Sequence, residues 1–485
     1  MPSISATELP KQLFINNAFV DAKSKKTCSV YNPADGSLVA DDVQVAGPED
    51  VDAAVDAAEK AFPAWKKTHP EVRKALMLKL ADLIEENGEA LYALTALTLG
   101  SPRSTAWIVQ MASALLRYYA GWIDKVAGES WPADDGYMKI VRHEPLGVTV
   151  GIIPWNTPFP MAIYKASASL AAGNCYICKP SEKTPFATLA LGTLIQEAGF
   201  PPGVFQILSG DGSTGSLLSH HMRVKKISFT GSSPIGKKIL AAAAATNLKR
   251  VSLELGGKTP AVIFDDCDLD KAVVETAESI LQGTGQGCMA CSRIFVQEGI
   301  YDRFVAAYRD AMEARAKEFG DVNDPKTRFG PLVDKLQYDK VKGMVDRALE
   351  QGDGKLLTSG NSVGDKGFWF PPTAFIEVNE ESEIASKEIF GPVSVIMKFK
   401  DEEEVIARAN NSEYGLAAGV FTRDITRALR IAGEVEAGMV GINCISRLFL
   451  NTPFGGYKES GLGRECGLVG LTAWMETKTV MINMT

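Results

Sequence analysis

Cysteine and histidine are scarce in this chain, eight and four in 485 residues. Thiols this thinly spread do not make a disulfide scaffold and are expected to be reduced. His69, His143, His220 and His221 form no HExxH motif and no paired Cys/His spacing, so no metal site is expected. No apolar run reaches the ~18 residues of a membrane span. The opening MPSISATELPKQLF lacks the basic and apolar regions of a signal peptide, and the closing VMINMT carries no lipidation box or organelle address. No membrane partner and a cytoplasmic location are expected. Lys and Arg form no block, and a net charge of −8 offers a nucleic-acid backbone no footprint.

What is present is the balance of a folded globular protein, 46% hydrophobic and 23% charged, in a chain long enough for two or three domains. Val51, Ala54, Val55, Ala58 and Phe62 recur at helical steps. Similar patterns over 71–98 and 104–126 make the N-terminal quarter largely helical. At 131–147, WPADDGYMKIVRHEPLG breaks the pattern and predicts a protruding hairpin able to reach a partner subunit. Apolar runs then alternate with helical stretches: Val148–Pro154, Asn174–Lys179, Val204–Leu208, Lys226–Phe229, Arg250–Glu254 and Pro260–Phe264. That alternation predicts a doubly wound, mostly parallel α/β sheet. A second α/β series runs from near 270 to near 455 and includes Ser292–Gln297. The isolated β-rich segment Thr479–Asn483 suits an edge strand at an oligomer interface.

Two glycine-rich segments sit where a strand feeds a helix. Gly210, Gly212 and Gly215 match G-x-G-x-x-G, which serves either as a phosphate cradle or as a tight turn. Phe229-Thr-Gly-Ser-Ser-Pro-Ile-Gly236 is the stronger candidate, with Gly231 allowing close approach and Ser232 offering a hydroxyl. Of two C-x-x-C spacings, Cys175/Cys178 lies in an apolar strand where free cysteine acts as a small hydrophobe. In Cys288/Cys291 only one thiol need be chemical.

Gly285-Gln-Gly-Cys-Met-Ala-Cys-Ser-Arg293 closely resembles the active-site segment of the aldehyde dehydrogenase superfamily, with Cys288 at the nucleophile's place. Leu253-Glu-Leu-Gly-Gly-Lys258 is similar to the family's glutamate motif and puts Glu254 34 positions before the cysteine. Ile153-Pro-Trp-Asn-Thr-Pro158, Lys179-Pro-Ser-Glu182, Phe229-Thr-Gly-Ser232, Glu388-Ile-Phe-Gly-Pro392 and Pro453-Phe-Gly-Gly-Tyr-Lys458 extend the resemblance over nearly the whole chain. The resemblance implies an α/β fold with a Rossmann-like cofactor domain (1–126 and 147–257), an α/β catalytic domain (258–458), and a small β oligomerisation element (127–146 and 470–485). It also implies a homodimer or homotetramer.

The implied activity is oxidation of a small-molecule aldehyde to a carboxylic acid with NAD and water. A thiolate makes the carbonyl carbon tetrahedral, and the oxyanion then expels hydride and leaves a thioester. A free thiol is only a few per cent ionised at neutral pH, so a lowered pKa or a neighbouring base would help Cys288; with no histidine nearby, a carboxylate is the natural base. By resemblance, the Asn156 amide and the Cys288 N–H steady the oxyanion, and Glu254 activates the water that releases the product. Lys165 and Glu465 match positions of the family's proton network.

The resemblance places Ile152, Ile153, Pro154, Trp155, Lys179, Ser181, Glu182, Gly212, Phe229, Gly231, Ser232, Leu255, Glu388 and Phe390 around the cofactor. Glu182 can accept from both ribose hydroxyls and would repel the extra phosphate of NADP, so NAD is preferred. The substrate tunnel is expected to include Thr157, Tyr164, Met289, Ser446 and Leu448. At Thr157, Tyr164, Ser446 and Leu448, small-aldehyde enzymes tend to place larger aromatics or an acid, so a wider tunnel for aromatic or extended aliphatic aldehydes is expected. Arg447 reads as an exposed loop arginine, with attraction for an anionic substrate tail as the other reading. The competing functions are an acylating or semialdehyde-specific relative, a catalytically idle binding relative, and a cysteine hydrolase.

Overall fold

Strands that are apolar on both faces must be covered on both faces, and this requirement organises the chain. The computed structural model describes residues 8–359 and 366–485. In it Val148–Ile152, Cys175–Lys179 and Thr259–Ile263 are buried at every position. Across the first sheet the strands run Ala18–Val20, Leu13–Ile15, Phe205–Ile207, Cys175–Lys179, Val148–Ile152, Lys226–Thr230, Arg250–Glu254 and Gly461–Leu462. The five from Phe205–Ile207 to Arg250–Glu254 are mutually parallel. Numbered along the chain, these five read 3-2-1-4-5 across the sheet, the doubly wound order. The order reverses between Val148–Ile152 and Lys226–Thr230, and such sheets bind ligands beyond the carboxyl ends of the strands at that point.

A second sheet has seven strands, in the order Lys355–Ser359, Thr373–Ile376, Val393–Phe399, Cys291–Gln297, Thr259–Ile263, Ala417–Phe421 and Met439–Ile442. All neighbours are parallel except the first pair. Alternation along these strands feeds two separate cores. Val262, Phe295, Val395 and Val420 enter one, while Ala261, Ile263, Ile294 and Ile396 enter the other. The two sheets are joined by the short crossing from Glu254, the last residue of a first-sheet strand, to Thr259, the first of a second-sheet strand.

A third, antiparallel sheet pairs Tyr137–Pro145 with Glu129–Trp131 on one side and Met475–Asn483 on the other, in register from Met475↔Pro145 to Asn483↔Tyr137. The C-terminal segment is therefore seated on its own chain's hairpin, and it is longer than its sequence pattern suggested. The N-terminal quarter is less uniformly helical than its periodicity predicted. Four short strands between Leu13 and Gln44 precede the helices Pro48–Trp65, Pro70–Glu86, Gly88–Leu99 and Ile108–Ala120. The expected helix over 71–98 is broken at Asn87, whose side-chain amide donates to the Leu83 carbonyl at 2.8 Å. That local bond competes with the continuing backbone ladder.

Among the described residues no helix is long and apolar enough to cross a membrane, and no group of three or more His, Cys, Asp or Glu could hold a metal ion.

Candidate active site

The crevice at the order reversal is built by two strand-to-helix turns. After Val148–Ile152 the chain passes through Ile153, Pro154, Trp155, Asn156 and Thr157 into the helix Pro158–Ala171, opened by Pro158 with its preset φ. After Lys226–Thr230 it passes through Gly231 and Ser232 into the helix Ser233–Ala245. Ser232 makes no side-chain cap bond to that helix, so its positive N-terminal end faces outward uncapped, suited to a pyrophosphate. Phe229 is buried, with its ring directly against Gly231. Leu255 packs against Gly236, which holds this helix close to the sheet.

One turn away, Lys179 is buried. Its Nζ donates to the Pro180 carbonyl at 2.8 Å and lies 3.9 Å from Glu182. Ser181 is buried beside Glu182, its hydroxyl 3.4 Å from Oε2. Burial pushes the Lys179 ammonium below its ordinary range, and the Glu182 and Asp211 carboxylates oppose that shift. Asp211 caps the helix Gly212–His220 by accepting from the Ser213 N–H at 2.8 Å. Gly212 is the exposed first residue of this helix.

The nucleophile loop lies across the inter-sheet crossing. A side chain on Gly257 would sit 2.3 Å from the Cys288 carbonyl oxygen, and one on Gly256 would sit 2.5 Å from a carboxylate oxygen of Glu388. Gly257 is thus required for the loops to meet, since it faces backbone, while Gly256 leaves room for the Glu388 carboxylate; the Gly257 N–H donates to Glu388 at 2.9 Å. Asn156 Nδ2 donates to the Gln286 carbonyl at 2.8 Å, tying one half of the expected oxyanion site to the cysteine loop. The Gln286 side chain accepts from the Val333 N–H at 2.8 Å and donates to the Gly283 carbonyl at 3.1 Å. Sequence reasoning passed over Gln286 as an anchor, although it lies inside the quoted motif.

Phe390 meets Trp155 edge-on with ring centroids 5.3 Å apart. Phe390, Ser446 and Cys466 all have positive φ, at 60°, 56° and 60°. Strained backbone of this kind costs about 1–3 kcal/mol per residue and gathers where function demands it.

Cys288 is half-buried. Its thiol is pushed up to about 12 by burial first, and then by Glu254 and Glu388; the N–H groups of Cys288 and Met289 pull the other way. The expected help from a lowered pKa is therefore not provided by the protein alone, and the thiol needs a base. Glu254 is 4% exposed, and neither carboxylate oxygen has a hydrogen-bond partner. Burial, then the charge of Glu465, raises its carboxyl well above the usual range. A base with a raised pKa is the kind suited to work near neutrality. Lys165, fully buried, donates to Glu465 at 2.7 Å and to Ser228 at 2.9 Å.

A family model for the aldehyde dehydrogenase family matches residues 19–480. The chain belongs to the aldehyde dehydrogenase family. It is 45% identical over 479 residues to retinal dehydrogenase 2 of Homo sapiens, covering 98% of this chain and 92% of that protein. The structure of a Bacillus cereus aldehyde dehydrogenase in its NAD+ complex superposes with TM-score 0.95 and 40% identity, over 99% of this chain and 97% of that one. An E. coli enzyme described as NADP dependent superposes with TM-score 0.94 and 37% identity, over 98% of each chain. Aldehyde oxidation is thus the reaction class, and the acylating, idle and hydrolase alternatives are not favoured. Aldehyde dehydrogenases use NAD(P), and the fold alone does not separate the two.

The expected tunnel residues of this aldehyde dehydrogenase divide into two groups. Met289 and Ser446 lie by the cysteine loop, the Ser446 hydroxyl donating to the Met289 carbonyl at 2.6 Å and lying 2.8 Å from that of Ser279, while Leu448 is half-buried at the edge of the first core. Tyr164 is buried, edge-on to Phe454, and its hydroxyl accepts from Cys466 Sγ at 3.1 Å. Thr157 is half-buried at its helix cap. Arg447 is exposed and paired with Glu275 at 2.6 Å, which favours the loop-arginine reading.

Proposed function

We propose that this enzyme oxidises extended or aromatic aldehydes to carboxylates with NAD and water, using Cys288 as nucleophile and Glu254 as base. The observation that carries the reading is Glu254 itself, a buried carboxyl without a partner, close enough to Cys288 that its charge raises the thiol. Burying an unpaired acid costs stability, so a chemical use is the physical reason to keep it. When Cys288 attacks the carbonyl carbon, its thiol proton passes to a base, and the new oxyanion sits between the Asn156 amide and the Cys288 N–H. The nicotinamide, when bound, accepts the hydride. The thioester left on Cys288 is attacked by water whose proton goes to Glu254, releasing carboxylate and free thiol.

The residues around the crevice fit a dinucleotide: an uncapped helix N-terminus for pyrophosphate, Lys179 and Glu182 for a ribose, and Glu388 with Phe390 beside the cysteine loop for the nicotinamide end. NAD over NADP rests on Glu182, reinforced by the second carboxylate, Asp211, whose field also reaches Lys179. Small side chains at Thr157 and Ser446 support the wider tunnel, as do relatives named for retinal.

Residues 1–126 with 147–257, then 258–458, and 127–146 with 470–485 are the cofactor, catalytic and oligomerisation parts. Exposed Trp131, Tyr137, Met481 and Ile482 on the third sheet support a homodimer or homotetramer.

The test is NADH formation from a panel of aldehydes, with and without coenzyme A, beside Cys288→Ala. Turnover without coenzyme A that vanishes in the variant is expected, with long or aromatic aldehydes outrunning acetaldehyde. A requirement for coenzyme A, or turnover by Cys288→Ala, would overturn the mechanism; preference for acetaldehyde would overturn the substrate class.

A further inference from the structure

The ion pair behind Glu254 has a third member. Ser228 lies on Lys226–Thr230, the strand at the order reversal, two residues before Thr230, which is in register with Glu254 on the neighbouring strand. Its hydroxyl is 2.9 Å from Lys165 Nζ and 2.8 Å from Glu465 Oε1, and Ser228 is 1% exposed. The directions of these bonds are fixed by chemistry. An ammonium only donates, so Lys165 gives to Oγ, and the one hydroxyl proton goes to Glu465. Oε1 of Glu465 therefore holds two donors, Lys165 and Ser228, while Oε2 is buried with none. A carboxylate gripped on one oxygen cannot turn to share its charge elsewhere.

We propose that Ser228 is a positioning residue for the hydrolytic step, locking the orientation of Glu465 and its unengaged oxygen while Glu254 takes the proton of the attacking water. Ser228 acts through Glu465 and touches no reacting atom. Without the hydroxyl, Glu465 keeps one donor, swings so that both oxygens share the Lys165 ammonium, and exerts a weaker field on Glu254. Glu254 then binds its proton less tightly and is a weaker base. Two effects follow: the acidic limb of thioester hydrolysis moves to lower pH, and its plateau falls.

The inference rests on Glu254 being the base, so the experiment separates the two. Rapid mixing of enzyme, NAD and aldehyde gives an NADH burst, and the linear phase after it reports hydrolysis. That phase is followed from pH 5 to 9 for the wild type, Glu254→Gln, Ser228→Ala, Ser228→Thr and Ser228→Val. In Ser228→Ala the acidic limb is expected to fall by about 0.5–1 pH unit and the plateau by about threefold to tenfold, with KM within about twofold. Ser228→Thr, which keeps the hydroxyl, restores the wild-type limb. Should Ser228→Ala not fold, the near-isosteric Thr and Val pair makes the same comparison.

An unmoved limb in the folded Ala or Val variant, whatever its rate, overturns the role of Ser228. So does a Thr variant whose limb matches that of Ala or Val. Retained hydrolysis in Glu254→Gln overturns the base assignment instead.

Discussion

Replacing Glu254 by glutamine should damage activity and improve stability together, and the structure gives both signs. The two side chains are nearly isosteric, and no hydrogen bond is lost because neither Glu254 oxygen has one. Removal of a general base lowers the hydrolytic rate by about 10²–10⁴-fold, or ~3–5 kcal/mol of barrier. Attack and hydride loss do not consume this base in the same way, so an NADH burst of about one per active chain is expected to persist while turnover after it fails.

For stability, the folded protein holds the Glu254 proton to higher pH than the unfolded chain does. Its contribution is fully present below the unfolded pKa and drains as pH rises toward the folded one. A single such proton costs the wild type about 1.4 kcal/mol for each pH unit in that window. Glutamine has no such loss. Thermal melting of both proteins from pH 5 to 8 should therefore show a gap in favour of Glu254→Gln that widens with pH. A gap independent of pH, or a wild type that gains on the variant as pH rises, would refute the buried-acid reasoning. Undiminished turnover after the burst would refute the base.

Asn156→Ala removes an oxyanion donor and a tie to the Gln286 carbonyl; kcat is expected to fall by about 10²–10³-fold, and a loss confined to KM would contradict the assignment. Glu182→Gln removes a charge 3.9 Å from Lys179; the ratio of NADP to NAD affinity, read by quenching of protein fluorescence, should rise by about 10- to 100-fold, and an unchanged ratio would return the selectivity to other residues. Alkylation of Cys288 by iodoacetamide in the protein without cofactor should climb about tenfold per pH unit beyond pH 9, where a free thiol levels off, because its pKa is pushed up to about 12. At alkaline pH Glu254→Gln should be alkylated faster than the wild type, since one charge opposing the thiolate is gone; equal rates would remove Glu254 from the neighbourhood of Cys288.

Much of the site was legible because its parts sit at fixed chain offsets from regular elements. Turns after Ile152 and Thr230 are readable from strand runs followed by helix starts, and their meeting at one crevice follows from the strand order. The Gly256 and Gly257 pair was quoted as part of a motif, yet its reason is spatial: the Glu388 side chain and the Cys288 backbone pass where a Cβ would be. Ser228 carried no signal at all. Its partners lie 63 and 237 positions away, and a serine in an apolar strand reads as a tolerated small residue. Helix periodicity misjudged 71–98 for a similar reason, because Asn87 stops one helix with a bond local to its own turn while the apolar spacing runs on unbroken.

The sequence left the thiol open between a lowered pKa and a neighbouring base, for a reason that bears on the mechanism. A sequence shows that acids lie near a cysteine in a motif, but the sign of their effect depends on burial and on what each acid faces. Here Glu254 and Glu388 raise Cys288, and Glu465 raises Glu254. Like charges in a dry site do not all ionise together, so their protons leave in steps that belong to the group and not to single residues. Lys165 offsets one negative charge of this set, and it is bonded to Glu465, the member farthest along the chain of effects from the thiol. Charge on Glu254 therefore opposes charge on Cys288. Ionising either one makes ionising the other harder. A burst that persists in Glu254→Gln assigns to Glu254 the proton of the attacking water alone, and a lost burst would assign it the thiol proton as well.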